Sequence, residues 1–196
     1  VEPIYKAAFG KMPRCHKSAK ASAELVGANC RVGWQTGYAA FAGGLLEIKS
    51  DGGIATYAEG FLDPRIGEVP DRVYAYGLAW DNADNLWFTN TGAYNPLKVR
   101  TKDGNIHNAL HIDNPLLNLN TVEKQNTYGD LLVDDNGYIW MISNFETAGG
   151  LVVYNFNNTP EITADDQYRV LRTGENFGNL PSNNVLCIAK DKDNEI

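Results

Sequence analysis

Three of the four tryptophans, Trp34, Trp87 and Trp140, stand 53 residues apart. Their surroundings repeat with them. Each lies in a short apolar run: Arg31-Val32-Gly33-Trp34, Asn85-Leu86-Trp87-Phe88 and Tyr138-Ile139-Trp140-Met141. A further apolar run follows ten or eleven residues later, at Leu45-Leu46-Glu47-Ile48, Leu97-Lys98-Val99 and Leu151-Val152-Val153-Tyr154. Asp81 and Asp134 precede the second and third Trp by six residues, and each closes another alternating or apolar run. A fixed period of this length marks stacked supersecondary units, none of which can bury its apolar face alone.

The runs are short and turn residues separate them, so each copy reads as four strands. The second copy predicts strands near 73–81, 85–91, 96–102 and 105–111, and the third near 128–135, 138–144, 150–156 and 167–172. In the first copy 31–37, 43–49 and 53–59 fit, while the leading strand near 22–30 is weak. A short stretch at 17–26 is the single helix candidate. Asp81–Asn85, Asp134–Gly137 and Asp191–Asn194 join first and second strands; Ser50–Gly53 and Lys102–Asn105 join third and fourth. Asx and Gly supply the positive φ and local hydrogen bonds of tight hairpins. The Asp clusters invite calcium, but they lack the loop register that ends in a bidentate Glu, and turn chemistry accounts for them. No metal or other cofactor is expected.

Four antiparallel strands in a repeat of 53–57 residues predict an all-β fold of β-propeller blades. Trp34, Trp87 and Trp140 are then fillers between blades. A fourth copy starts at Val185-Leu186-Cys187-Ile188-Ala189-Lys190-Asp191 and reaches Ile196, where the pattern calls for a Trp next. The 196 residues therefore hold about three blades and the start of a fourth over 30–196, preceded by an irregular segment over 1–29. Closed propellers take about four to eight blades, so a partial propeller is expected. The structural repeat residues are Trp34, Trp87, Trp140, Asp81, Asp134, Asp191, Gly137 and Pro181.

Composition narrows the function classes. Seventeen basic residues face 24 acidic ones, a net charge of −7, and that argues against general nucleic-acid binding. No apolar run approaches the roughly 18–20 residues of a spanning helix, so the chain is expected not to span a membrane. Residues 1–30 alone are basic, with Lys6, Lys11, Arg14, Lys17 and Lys20 against Glu2 and Glu24, and read as a solvated segment. They lack the apolar stretch of a signal peptide, and Val1 is not an initiator Met; a mature or internal piece of a longer precursor is expected. Of the three cysteines, Cys187 reads as a small buried hydrophobe, and Cys15 and Cys30 could pair in an oxidising compartment. His16, His107 and His111 are too scattered for zinc. No catalytic motif is found, and no catalytic or ligand-binding residue is assigned.

The stretch Asn179-Leu180-Pro181-Ser182-Asn183-Asn184-Val185, followed by Ile188–Asp193, resembles the two-component-regulator propeller repeat of Bacteroidetes. Leu131–Trp140 and Gly149-Gly150-Leu151 fit the middle of that repeat. The likeness is good over roughly 70–196 and loose over 30–69. Asn95–Val99, Gly149–Tyr154, Asp165–Asn176 and Gly178–Val185 resemble the PorZ-like proteins of type IX (Por) secretion most. Asn194 stands where the family usually has Gly, and no GT follows Trp87 or Trp140.

That resemblance implies a non-enzymatic, exported protein of the outer-membrane surface or periplasm. Its implied partners are the other attachment-complex components or an anionic lipopolysaccharide. Two alternatives stay open: the sensor propeller of a hybrid two-component regulator, and a lyase- or lactonase-type propeller enzyme. Long loops at Tyr57–Arg72, Asn108–Tyr128 and Asn155–Asp166 are the candidate ligand surfaces, with Arg65, Arg72 and Lys124 their only basic residues.

Overall fold

The computed structural model describes residues 25–30, 37–41, 43–49, 53–58, 60–65, 72–110, 127–144 and 149–196. They form twelve strands: β1 Leu25–Cys30, β2 Gly37–Phe41, β3 Gly44–Ile48, β4 Ile54–Tyr57, β5 Ala75–Trp80, β6 Leu86–Asn90, β7 Leu97–Arg100, β8 Ile106–Leu110, β9 Thr127–Val133, β10 Ile139–Asn144, β11 Gly150–Asn155 and β12 Gln167–Leu171. Among the described residues the helical structure is a single 3-10 turn, η1, at Glu175–Phe177. The strands make three four-stranded sheets, each in plain sequence order with antiparallel neighbours. Each sheet is one copy of the repeat. The expected all-β architecture of propeller blades is what the chain adopts.

Blades two and three follow their predicted strands closely. Blade one departs from expectation. Its second strand was expected over 31–37 but runs Gly37–Phe41, and its weak leading strand exists as β1. Blade one therefore begins inside the segment expected to be irregular, and Leu25 and Val26 are strand rather than helix. Trp34 lies outside the described residues, as do Cys15, His16, His111 and Lys124.

The register explains the shift. Leu86 pairs with Arg100 and Trp87 with Val99 in blade two. Ile139 pairs with Tyr154 and Trp140 with Val153 in blade three. Gly37 pairs with Ile48 and Tyr38 with Glu47 in blade one. Tyr38 thus occupies the position of Trp87 and Trp140.

The first strands of successive blades lie beside one another, β1 against β5 and β5 against β9, so they are the innermost strands. Gly77 on β5 permits the approach: a Cβ there would sit 2.7 Å from the Leu131 backbone nitrogen and 2.9 Å from the Gly129 carbonyl oxygen. Thr89 Oγ1 bridges the two strands, accepting from Gly77 N–H at 2.8 Å and donating to the Gly129 carbonyl at 3.1 Å.

Two apolar seams hold the blades together. Between blades one and two lie Tyr38, Leu45, Leu62, Val73, Leu78, Leu86 and Phe88. Between blades two and three lie Trp87, Leu97, Val99, Leu131, Ile139, Met141, Val152 and Tyr154. Strand alternation sends Leu86 and Phe88 to the first seam and Trp87 to the second. The same alternation turns Trp140 away from the second seam, which its neighbours Ile139 and Met141 fill. Trp87 is fully buried, while Trp140 is half-buried.

The hairpin aspartates tie each turn to the second strand. Asp81, buried, accepts from the backbone N–H of Ala83 and Asn85 at 2.9 Å and from Trp87 Nε1–H at 2.9 Å. Asp134 does the same for Asn136, Tyr138 and Trp140 at 2.9, 2.9 and 3.0 Å. Gly137 takes φ 86 inside that turn, where a Cβ would be strained. Asp191 accepts from Asp193 and Glu195 at 2.8 and 2.9 Å, so the fourth copy builds the same turn. That turn lies beside the third blade's, where Asp135 N–H donates to Asn194 Oδ1 at 2.9 Å.

The strand leading into the Asp191 turn is another matter. Residues 185–191 belong to no sheet, Leu186 is 78% exposed, and Cys187 is a free, exposed thiol. Cys187 was expected to be buried. Its burial in a leading strand would come from a paired second strand, and none is present among the described residues. Pro181 is exposed, just past the point where Leu180 N–H bonds to the Arg172 carbonyl at 2.9 Å.

Candidate functional site

Polar side chains gather at both seams. In the first, Glu47 on β3 is buried with its carboxylate between two phenols: Tyr38 donates to Oε1 at 2.7 Å and Tyr57 to Oε2 at 2.6 Å. Arg100 reaches across from blade two, its guanidinium 3.5 Å from Oε1 and stacked over the Tyr38 and Tyr57 rings at 5.3 and 5.7 Å. Burial pushes the Glu47 carboxyl up, but the bonds from Tyr57 and Tyr38 and the Arg100 charge outweigh it and hold it below the usual range. Burial and the bond to Glu47 raise the Tyr38 phenol well above its ordinary value.

Lys98 on β7 lies in the same blade and is 2% exposed. Its ammonium meets Asp63 Oδ2 at 3.3 Å and the Asn108 amide oxygen. Asn95 donates to the same Asp63 oxygen at 2.6 Å, and Asn90 fixes the Asp63 backbone through its N–H at 2.8 Å and its carbonyl at 3.1 Å. Burial pulls the Lys98 ammonium below its usual value, opposed by the Asp63 charge. The lysine is thus spent inside the protein as one half of an ion pair.

The second seam carries a cavity of about 390 Å³, walled by Asn95, Asn108 and Ala109 of blade two and by Tyr154, Thr163, Asp166 and Tyr168 of blade three. Its walls come from outer strands β8, β11 and β12 and the loops beside them, not from the innermost strands. Trp87 packs against the wall residue Tyr154 and against Phe156, ring centroids 6.1 and 4.7 Å apart. Tyr154 Oη lies 2.9 Å from the Ala109 carbonyl oxygen and in hydrogen-bond contact with Asp166 Oδ2.

The three candidate loops each contribute an end to this region: Asp63, Asn108, and Thr163 with Asp166. Residues 66–71 and 111–126 lie outside the described residues. Arg65 is stacked on Tyr74 at 5.6 Å. Among the described residues no three His, Cys, Asp or Glu side chains gather as a metal site, and no helix is long and apolar enough to cross a membrane. The repeat residues Trp87, Trp140, Asp81, Asp134 and Gly137 form the scaffold and none lines the cavity. Tyr38, Glu47, Arg100, Lys98, Tyr154 and Asp166 escaped the sequence reading. Glu47, Lys98 and Tyr154 sit inside the repeated apolar runs, where the pattern marks a strand but not the partner each side chain meets.

Four-stranded blades in radial order, seamed face to face, define this chain as part of a β-propeller-like protein. Its structure is similar to that of PorZ, an essential bacterial surface component of the type IX secretion system of Porphyromonas gingivalis, with a TM-score of 0.59 at 20% identity. The match covers 76% of this chain and 20% of PorZ, so the chain spans about a fifth of that protein's length. No family model matches the sequence, and no curated protein matches it. The likeness supports a PorZ-like fold.

Proposed function

We propose that this chain is a set of blades from a non-catalytic, exported propeller protein that serves type IX secretion at the cell surface, in the attachment of secreted cargo. The observation that carries the reading is the likeness to PorZ over three-quarters of the chain. The LPSN-type boundary at Leu180–Asn183 and the long blade period point the same way. Among the described residues no cationic side chain lines the seam cavity, so an anionic lipopolysaccharide is not assigned to it. Lys98, bonded to the wall residue Asn108, is neutralised by Asp63, and Asp166 is the one carboxylic acid among the described wall residues. Deletion of the encoding gene in its native host tests the proposal. Surface anchoring of type IX cargo should be lost and be restored by the intact gene; anchoring that survives deletion overturns it.

A further inference from the structure

Tyr154 has one phenolic proton and two oxygen neighbours. One is the Ala109 carbonyl of blade two, at 2.9 Å, which can only accept. The other is Asp166 Oδ2, on the β11–β12 connection of blade three. Were Asp166 ionised it too could only accept, and a single proton cannot serve both. The second oxygen of Asp166, Oδ1, is buried and has no hydrogen-bond partner, a poor environment for half of a carboxylate charge. Both problems vanish if the carboxyl keeps its proton and donates it to Tyr154 Oη, while Tyr154 donates to Ala109.

We infer that Asp166 is a neutral acid in the folded chain, and that Ala109, Tyr154 and Asp166 form a proton-dependent latch across the second seam that lets go when Asp166 ionises. The charges around it work in the same direction. Asp165, the adjacent residue, is held by Thr159 Oγ at 3.1 and 3.2 Å and opposes a second negative charge beside it. Tyr168, paired with Tyr154 across the strands, is a neutral phenol, and Asn95, Asn108 and Thr163 are uncharged. Lys98 of β7 is turned to Asp63 and Asn108. Burial first and Asp165 second push the Asp166 carboxyl up, against the bond to Tyr154. Ionisation leaves two acceptors competing for one proton, and the 156–166 connection then loses its tie to blade two at the wall of the cavity.

The sign of the pH effect follows from linkage. A carboxyl whose folded pKa is raised contributes stability that is complete below its unfolded value and lost as pH rises through the folded value. The experiment compares the full chain with Asp166→Asn, whose amide can donate to Tyr154 at every pH, by urea unfolding from about pH 4 to pH 8. The folded-to-unfolded ratio of the native chain should fall relative to the variant by up to about tenfold per pH unit until Asp166 has titrated. Limited proteolysis within 156–166 should quicken over the same range in the native chain and stay level in Asp166→Asn. Carbon NMR of the Asp166 carboxyl supplies a readout that does not need a variant to fold, and Asp165→Asn should lower its midpoint. A midpoint in the ordinary aspartate range, or a native-to-variant ratio that is flat or rises with pH, overturns the latch.

Discussion

Replacing Glu47 by Leu tests what holds blades one and two together. The substitution removes the acceptor of two phenol bonds, 2.7 Å from Tyr38 and 2.6 Å from Tyr57, and the anion opposite Arg100. Tyr38 is buried, so its hydroxyl is stranded, at a cost of about 1–3 kcal/mol. Tyr57 is only partly buried and recovers a partner in water. Arg100 loses its counter-charge while still partly buried, which adds about 1–2 kcal/mol after allowance for solvent screening. The leucine returns about 1 kcal/mol of apolar burial. The net loss should be about 1–4 kcal/mol, a sizeable share of the roughly 5–15 kcal/mol that stabilises a domain. Urea unfolding at neutral pH reads it directly. Adding Tyr38→Phe should recover about 1 kcal/mol or more, since no hydroxyl is then stranded. The lowered Glu47 carboxyl gives a second check. A depressed acid contributes stability above its unfolded pKa and loses it as pH falls, so the gap between the native chain and Glu47→Leu should narrow below 4.5, the ordinary glutamate value. A single variant within about 0.5 kcal/mol of the native chain, or a double variant no better than the single, refutes the reasoning.

Two further variants probe the repeat itself. Asp81→Asn keeps an oxygen for the Ala83 and Asn85 amides but turns an amide N–H toward Trp87 Nε1–H, so it should cost about 1–3 kcal/mol and shift the Trp87 indole proton resonance; an unmoved indole signal would show that the bond is dispensable. Gly77→Ala puts a Cβ 2.7 Å from the Leu131 backbone, which cannot swing aside, so the innermost strands must part and stability should fall by about 1–3 kcal/mol; an alanine variant as stable as the native chain would place the strands further apart than described.

How much of this was legible in the residues depends on which blade is read. Blades two and three keep Asp, a six-residue step, and Trp, and there strand positions came out within a residue or two. The step has a physical cause: the carboxylate that caps the hairpin amides also takes the indole N–H. Blade one keeps neither the Asp nor that step. Trp34 matched the period, but Ala28 stands six residues before it where the other blades have Asp, and the second strand was set too early. Cys187 failed for a related reason: an apolar run marks a strand, but burial is a property of the neighbours it meets. The seam networks were invisible because they join residues far apart in sequence, such as Glu47 with Arg100 and Asp63 with Lys98.

The irregular blade nevertheless obeys the rule of the regular ones once the register is known. In each blade the aromatic of the second strand has a polar tip, and in each blade one carboxylate meets it. In blades two and three that carboxylate is Asp81 or Asp134, supplied by the preceding hairpin, and the cross-strand neighbour of the Trp is Val99 or Val153. In blade one the aromatic is Tyr38, and its cross-strand neighbour is Glu47 itself. The acid has moved from the turn to the third strand, because a phenol hydroxyl points out along the ring axis whereas an indole N–H points back toward the hairpin. The next blade completes the correspondence. Arg100 and Tyr154 hold the same register position, opposite Leu86 and Ile139, and each packs on the aromatic of the blade before it, Arg100 over Tyr38 and Tyr154 against Trp87. Where the acid sits in the seam the partner is a cation, and where the acid sits in the turn the partner is an aromatic ring. Exchange of Glu47 for Val, the residue found there in the other blades, therefore belongs with loss of the Tyr38 hydroxyl and of the Arg100 charge, and none of the three is neutral alone.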